Sequence, residues 1–272
     1  MITYKLLVLS PTYSNNMNCN ACTRLANMDL PPNLKTLEIN CECEDEVCLK
    51  PLSKLTNLEK LTITANKANN IEVLKSLSKL KDLTINGNIH GDCLSGLTSL
   101  TRLEMTLDDH PEIDFVSSLK ELKVLNVGHA VLDCSPLKNL ENLTHLEMHG
   151  SVPIPADALA KLTALKELKL YHGFQYYHEC HDMDNVYLDL NTFSNMTHLT
   201  SLTLSWHNIK DASPLSSLTN LKHLDLSSNR LTDISWVESL KNLETLDVSK
   251  NFLPDAYPNV AAGTKIDMSR QL

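Results

Sequence analysis

The stretch Leu199-Thr200-Ser201-Leu202-Thr203-Leu204, continued by Asn208-Ile209-Lys210-Asp211-Ala212-Ser213-Pro214-Leu215-Ser216-Ser217-Leu218, decides the fold. In its first part the last two apolar residues alternate with a variable one, as a strand does, so leucines point inward and variable residues outward. In its second part leucines three apart suit a 3-10 turn or short helix returning the chain. The same LxxLxL phrase stands at Leu34-Leu37-Ile39, Leu58-Leu61-Ile63, Leu80-Leu83-Ile85, Leu100-Leu103-Met105, Leu122-Leu125-Val127, Leu143-Leu146-Met148, Leu165-Leu168-Leu170, Leu221-Leu224-Leu226 and Leu243-Leu246-Val248, with Tyr4-Leu7-Leu9 as a degenerate first copy. First leucines are spaced by 24, 22, 20, 22, 21, 22, 34, 22 and 22 residues, a period of about 22 with one 12-residue excess. Each coil alone exposes its leucines, and only stacking hides them.

A single domain over residues 1–272 is therefore expected. It divides into a cap or degenerate repeat over 1–33, regular repeats over 34–253 with an insertion at about 173–184, and a cap over 254–272. Asn66, Asn88, Asn229 and Asn251 share one position after the strand, from which an amide can bond the backbone of neighbouring coils.

The formal charge of -9 offers no basic field for phosphate backbones, so nucleic acid is not expected as a partner and a basic or neutral protein surface is. No apolar run reaches the roughly 18 residues of a membrane span, so no membrane insertion is expected. Leu6-Leu7-Val8-Leu9 is too short for a secretory core. Five of the eight cysteines crowd into Cys19, Cys22, Cys41, Cys43 and Cys48, where free thiols, a disulfide and a zinc site all remain open. Cys93 and Cys134 follow an aspartate in a slot held elsewhere by Phe115, Ala212 and Ile234, and are read as small core residues.

The repeat length, the Asn after the strand and the Asp-x-x-Pro-Leu turn resemble the leucine-rich repeat family across almost the whole chain. They are most similar to the subclass shared by bacterial internalins and the leucine-rich-repeat regulator of protein phosphatase 1. The resemblance implies an α/β solenoid of horseshoe form, with a parallel sheet on the concave face and 3-10 or short helical segments on the convex face. It also implies protein binding through the concave face, without chemistry of its own. Without a recognisable signal peptide a cytoplasmic scaffold, regulatory subunit or effector is expected. The alternative is a secreted or cell-surface module with a disulfide-linked N-terminal cap.

Stacked strands turn each variable position into a column. One column reads Val8, Glu38, Thr62, Thr84, Glu104, Asn126, Glu147, Lys169, Thr203, Asp225, Asp247 and Asp267. The closing aspartates are either a tolerated solvated face or a patch for a basic ligand. In the neighbouring column Lys60, Asp82 and Arg102 are expected to pair. His129, His145, His149 and His172 fall at outward or strand-end positions of successive coils, with Tyr171, Trp206 and His207 on the same edge. The 12-residue excess beside them brings Phe174, Tyr176 and Tyr177 into a chain with 5% aromatics. An inserted loop adds nothing to stacking, and exposed aromatics are typical interface anchors. The alternative is that these aromatics pack the loop onto its own coil. His129, His145, Glu147, His149, Tyr171, His172, Phe174, Tyr176, Tyr177, Trp206, His207, Asp225 and Asp247 are thus the candidate partner-binding residues. No catalytic residue, cofactor or metal is expected: there is no Gly-rich phosphate loop, and His178, Cys180 and His181 match no familiar closed metal site.

Overall fold

The computed structural model describes residues 3–4, 8–9, 25, 30–88, 91–106, 112–128, 131, 133–150, 154–171, 188–254 and 259–271. His129, His172, Phe174, Tyr176, Tyr177, Cys19, Cys22 and the metal candidates His178, Cys180 and His181 lie outside them. Two compact units divide the chain, Met1–His129 and Ala130–Leu272.

The first unit holds β1 (Thr3–Tyr4), β2 (Val8–Leu9), β3 (Thr36–Cys48), β4 (Lys60–Asn69), β5 (Asp82–Asn88), β6 (Arg102–Met105) and β7 (Val124–Val127). From β3 to β7 each strand pairs in parallel with the next, leucine opposite leucine, from Leu37 and Leu61 to Leu103 and Leu125. The second unit repeats the arrangement with β8 (His145–His149), β9 (Glu167–Tyr171), β10 (Ser201–Ser205), β11 (His223–Asp225), β12 (Thr245–Asp247) and β13 (Lys265–Asp267). There Leu146, Leu168, Leu202, Leu224, Leu246 and Ile266 align across the sheet. Parallel pairing is forced by the repeat, because every strand is reached from the same side after a return segment.

Most of the described return segments carry 3-10 turns, among them Lys50–Lys54, Ile71–Ser76, Ser213–Ser217 and Ser235–Ser239, while the one between β8 and β9 carries a single α-helical turn, Ala156–Leu159. Their leucines bond in relay: the N–H of Leu52 donates to the Leu49 carbonyl, Leu55 to Leu52 and Leu58 to Leu55, each at 2.9 Å. Nearly every leucine of the phrase is shielded from water, and Phe193 is fully buried beneath the turn Leu190–Phe193. At about 25 cal/mol per Å², several such side chains per coil hold the stack together.

Four local expectations are corrected. Strands β3 and β4 run to 13 and 10 residues instead of one short phrase, with register shifts between Cys41 and Glu46 and between Thr64 and Lys67. As a result Asn66 lies exposed within a strand instead of buried after it. The first copy is out of step: Thr3 pairs Thr36 while Val8 pairs Asn40, so one residue is left over between β1 and β2, and Val8 is not in the Glu38 column. Lys60 does pair Asp82, at 2.7 Å, but Arg102 turns along its own strand to Glu104.

Cys93 and Cys134 are buried, as expected of core residues, and burial pushes the Cys134 thiol up to about 12. Cys41 is buried and Cys48 half-buried, and neither is disulfide-bonded.

Candidate protein-recognition face

Alternation on β8 buries Leu146 and Met148 and leaves His145, Glu147 and His149 on the outward face. Parallel register then sets His145 opposite Glu167, Glu147 opposite Lys169 and His149 opposite Tyr171. The result is a connected network. Lys169 Nζ lies 2.6 Å from Glu167 Oε1 and 3.9 Å from Glu147 Oε2. His149 Nε2 is 3.1 Å from Glu147 Oε1, and His145 Nε2 is 3.6 Å from Glu167 Oε2. The His149 ring stacks on Tyr171 with centroids 4.7 Å apart and planes 22° from parallel.

Each of these pairs is partly exposed and stabilises the fold by only about 0–1 kcal/mol. Their main effect is to fix where the side chains point. The Glu167 carboxylate, bonded to Lys169, holds that ammonium above its ordinary value. Burial, aided by Glu147, raises the Tyr171 phenol, which keeps its hydroxyl a hydrogen-bond donor.

The aspartate column has a local cause. Asp225, Asp247 and Asp267 each accept, through Oδ1, the backbone N–H two residues on: Ser227 at 2.8 Å, Ser249 at 2.9 Å and Ser269 at 2.8 Å. The bond ends the strand and turns the chain, as short acidic side chains do. Asp267 is held below the usual carboxylate range by its bonds to Ser269, the backbone one first. These aspartates still line a shallow groove on β10–β13, facing His223 and Lys265.

Asparagines in the second unit are buried binders of backbone. The Asn229 amide donates to the carbonyls of Leu204 at 2.7 Å and Leu226 at 2.9 Å, while its Oδ1 accepts the N–H of His207 at 3.0 Å and Ile209 at 3.1 Å. Asn251 repeats this on Leu226, Val248 and Leu231. Two further members were hidden in the sequence by residue type. His207 stands five residues after Leu202, as Asn229 does after Leu224, and its Nε2 lies 3.1 Å from the Leu170 carbonyl. Gln271 stands five after Ile266, and its amide donates to Val248 at 3.1 Å and Met268 at 2.8 Å. The structure therefore gives the candidate His207 a job inside the stack.

Trp206 occupies the corner just past β10 with φ of 68°, where a bulky L residue is strained. Ser228, Lys250 and Arg270, at φ of 58°, 55° and 53°, hold the same corner in the following coils, and Gly150 holds it after β8 at 63°. Lys250 Nζ lies 5.5 Å from the Trp206 ring centroid. Trp206→Gly relieves about 1 kcal/mol of left-handed strain and loses about 0.5–1 kcal/mol of cation–π attraction. Its unfolding midpoint is expected to stay within about 3 °C of the parent, above that of Trp206→Ala, which keeps the strain and loses the ring. A thermal melt ranking Trp206→Ala above Trp206→Gly would contradict the corner geometry.

Of the candidate residues, the structure brings His145, Glu147, His149 and Tyr171 together. It places Asp225 and Asp247 farther along the same face and Trp206 at the corner edge. Sequence reasoning missed Glu167 and Lys169 as partners in the network, and Lys250 beside Trp206. Register counting finds all three, because each sits at the same offset from its strand leucine as a residue already singled out.

A family model described as leucine-rich repeats in two copies matches residues 197–236 and 219–259. Residues 197–259 are leucine-rich repeats. The chain's structure is similar to the crystal structure of an internalin (inlF) from Listeria monocytogenes, with a TM-score of 0.61 at 25% identity, covering 82% of this chain and 69% of that one. It is also similar in fold to the plant peptide hormone receptor RGFR1, solved in complex with RGF2, with a TM-score of 0.55 at 19% identity over 82% of this chain and 38% of that one. No curated protein matches the sequence at a significant level. Among the described residues no helix is long and apolar enough to cross a membrane.

Proposed function

We propose that this leucine-rich repeat chain is a non-catalytic recognition module that binds a protein partner through the outward face of β8–β13 and the 171–185 segment. The observation that carries this reading is the preorganised network of His145, Glu147, His149, Glu167, Lys169 and Tyr171. It contributes little to stacking, yet its side chains are fixed before any partner arrives, which lowers the entropy cost of binding. Leucine-rich repeat proteins are typically interaction modules, and the fold supports that class. The partner-binding candidates outside the described residues, His129, His172, Phe174, Tyr176 and Tyr177, belong to the proposal as its aromatic and imidazole anchors.

Affinity enrichment with the full chain and with a variant lacking residues 173–184 tests the loop's part. Partners held by the parent and lost at least tenfold from the variant support it; an unchanged set of partners sinks it. We further propose an intracellular scaffold, regulatory subunit or effector. Its counterpart is an extracellular module with a disulfide-linked cap, favoured by the crowding of Cys19, Cys22, Cys41, Cys43 and Cys48. Titrating thiols in the denatured, unreduced protein separates them: eight thiols support the intracellular role, and two or more disulfides support the other.

A further inference from the structure

We propose that the corner edge of the Ala130–Leu272 unit is a second recognition surface, and that its occupant is an acidic protein segment carrying apolar side chains three residues apart. It does not depend on the β8–β9 network. Among the described residues the large apolar side chains left exposed are Trp206 and Phe252, each 42% accessible. Scattered single residues would mean nothing. These two share one edge. Backbone bonds stack its corners coil on coil, from the Trp206 N–H to Ser227 at 3.3 Å, Ser228 to Ser249 at 2.9 Å and Lys250 to Ser269 at 3.0 Å. A parallel row alongside runs from the Arg230 N–H to Ile209 at 2.8 Å and from the Phe252 N–H to Leu231 at 2.9 Å.

The charge on this edge is opposite to that of the chain as a whole. Arg230 and Arg270 are exposed there, and Lys250 lies over the Trp206 face. Asp225, Asp247 and Asp267, three residues before Ser228, Lys250 and Arg270, each turn one oxygen back onto the chain. A bulky aromatic held at a positive φ, where Gly150 and Ser228 serve in other coils, adds a strained residue that stacking does not require.

Spacing selects the ligand. Coils repeat at about 4.8 Å, so the rows of Trp206 and Phe252, two coils apart, lie about 10 Å from each other along the stack. A polyproline-II segment rises about 3.1 Å per residue with three residues per turn, so its residues i and i+3 lie on one side about 9 Å apart. Apolar side chains at those positions meet Trp206 and Phe252, and carboxylates between them meet Lys250, Arg230 and Arg270.

The test uses the full chain with Trp236→Phe, leaving Trp206 as the one indole, and a twelve-residue synthetic peptide of repeated Leu-Glu-Glu. Trp206 fluorescence is expected to shift saturably at sub-millimolar peptide. Peptides of repeated Leu-Lys-Lys and Ser-Glu-Glu are expected to produce no shift. A labelled Leu-Glu-Glu peptide followed by anisotropy is expected to bind Lys250→Glu/Arg270→Glu at least tenfold more weakly, with the variant's melting midpoint within about 5 °C of the parent's, as loss of the Lys250–Trp206 contact allows. The same peptide is expected to bind His149→Ala/Tyr171→Ala as it binds the parent. Equal affinity for the charge-reversed edge, an equal response to either control peptide, loss of binding in the β8–β9 variant, or no shift up to millimolar peptide overturns the assignment.

Discussion

Asn229→Ala is expected to lower the thermal unfolding midpoint by roughly 10 °C. The substitution strands the N–H groups of His207 and Ile209 and weakens the satisfaction of the Leu204 carbonyl, all bonded by Asn229 in a place that is 3% exposed. An orphaned buried polar group costs about 1–3 kcal/mol, so three such groups, partly relieved by relaxation, cost about 3–5 kcal/mol. Asn220→Ala is the comparator. That amide donates one exposed bond, to the Thr197 carbonyl at 2.7 Å, and its loss is expected to cost under about 1 kcal/mol. Equal midpoints for the two variants would mean that the buried amides do not fasten the coils.

Gly87→Ala is expected to disrupt the first unit as strongly. A Cβ there would stand 1.7 Å from the Ala65 carbonyl oxygen and 2.8 Å from its carbon, both backbone atoms of the neighbouring strand, at a φ of 142°. Neither β4 nor β5 can move aside without breaking the ladder they share, so overpacking of about 1–3 kcal/mol adds to a positive-φ penalty of about 1–2 kcal/mol. Gly263 isolates the second term: its φ is 91°, and a Cβ built there meets nothing within 4 Å. Denaturant titration is expected to show Gly87→Ala losing at least twice as much stability as Gly263→Ala. A smaller loss at Gly87 would contradict the close approach of the two strands.

The stack was legible in the sequence because leucine has one role in it. Inward positions tolerate little else, so Leu202, Leu224 and Leu246 announce both the strand and its register. The ladder after the strand was legible only where asparagine filled it. His207 does comparable work with an imidazole and Gln271 with a longer amide, and residue type alone hides them; offset from the strand leucine reveals them. The aspartates carry a role that their recurrence did not reveal: each satisfies a backbone N–H that ends its strand, whether or not the column also meets a basic ligand. The long β3 and β4 were not legible, since residues after Ile39 and Ile63 follow no inward pattern that differs from the shorter coils. The β8–β9 network needed register as well as sequence, because Lys169 and Glu147 lie 22 residues apart and meet only when the coils stack.

The central claim is that inward residues hold the fold while outward residues of β8 and β9 recognise the partner. One variant tests it most directly: His145→Ala, Glu147→Ala, His149→Ala, Lys169→Ala and Tyr171→Ala combined in the full chain, followed by a melt and by quantitative affinity enrichment beside the parent. A midpoint within about 5 °C of the parent is expected, together with at least tenfold loss of the partners that the parent retains. Unchanged retention of those partners by a folded variant would contradict it.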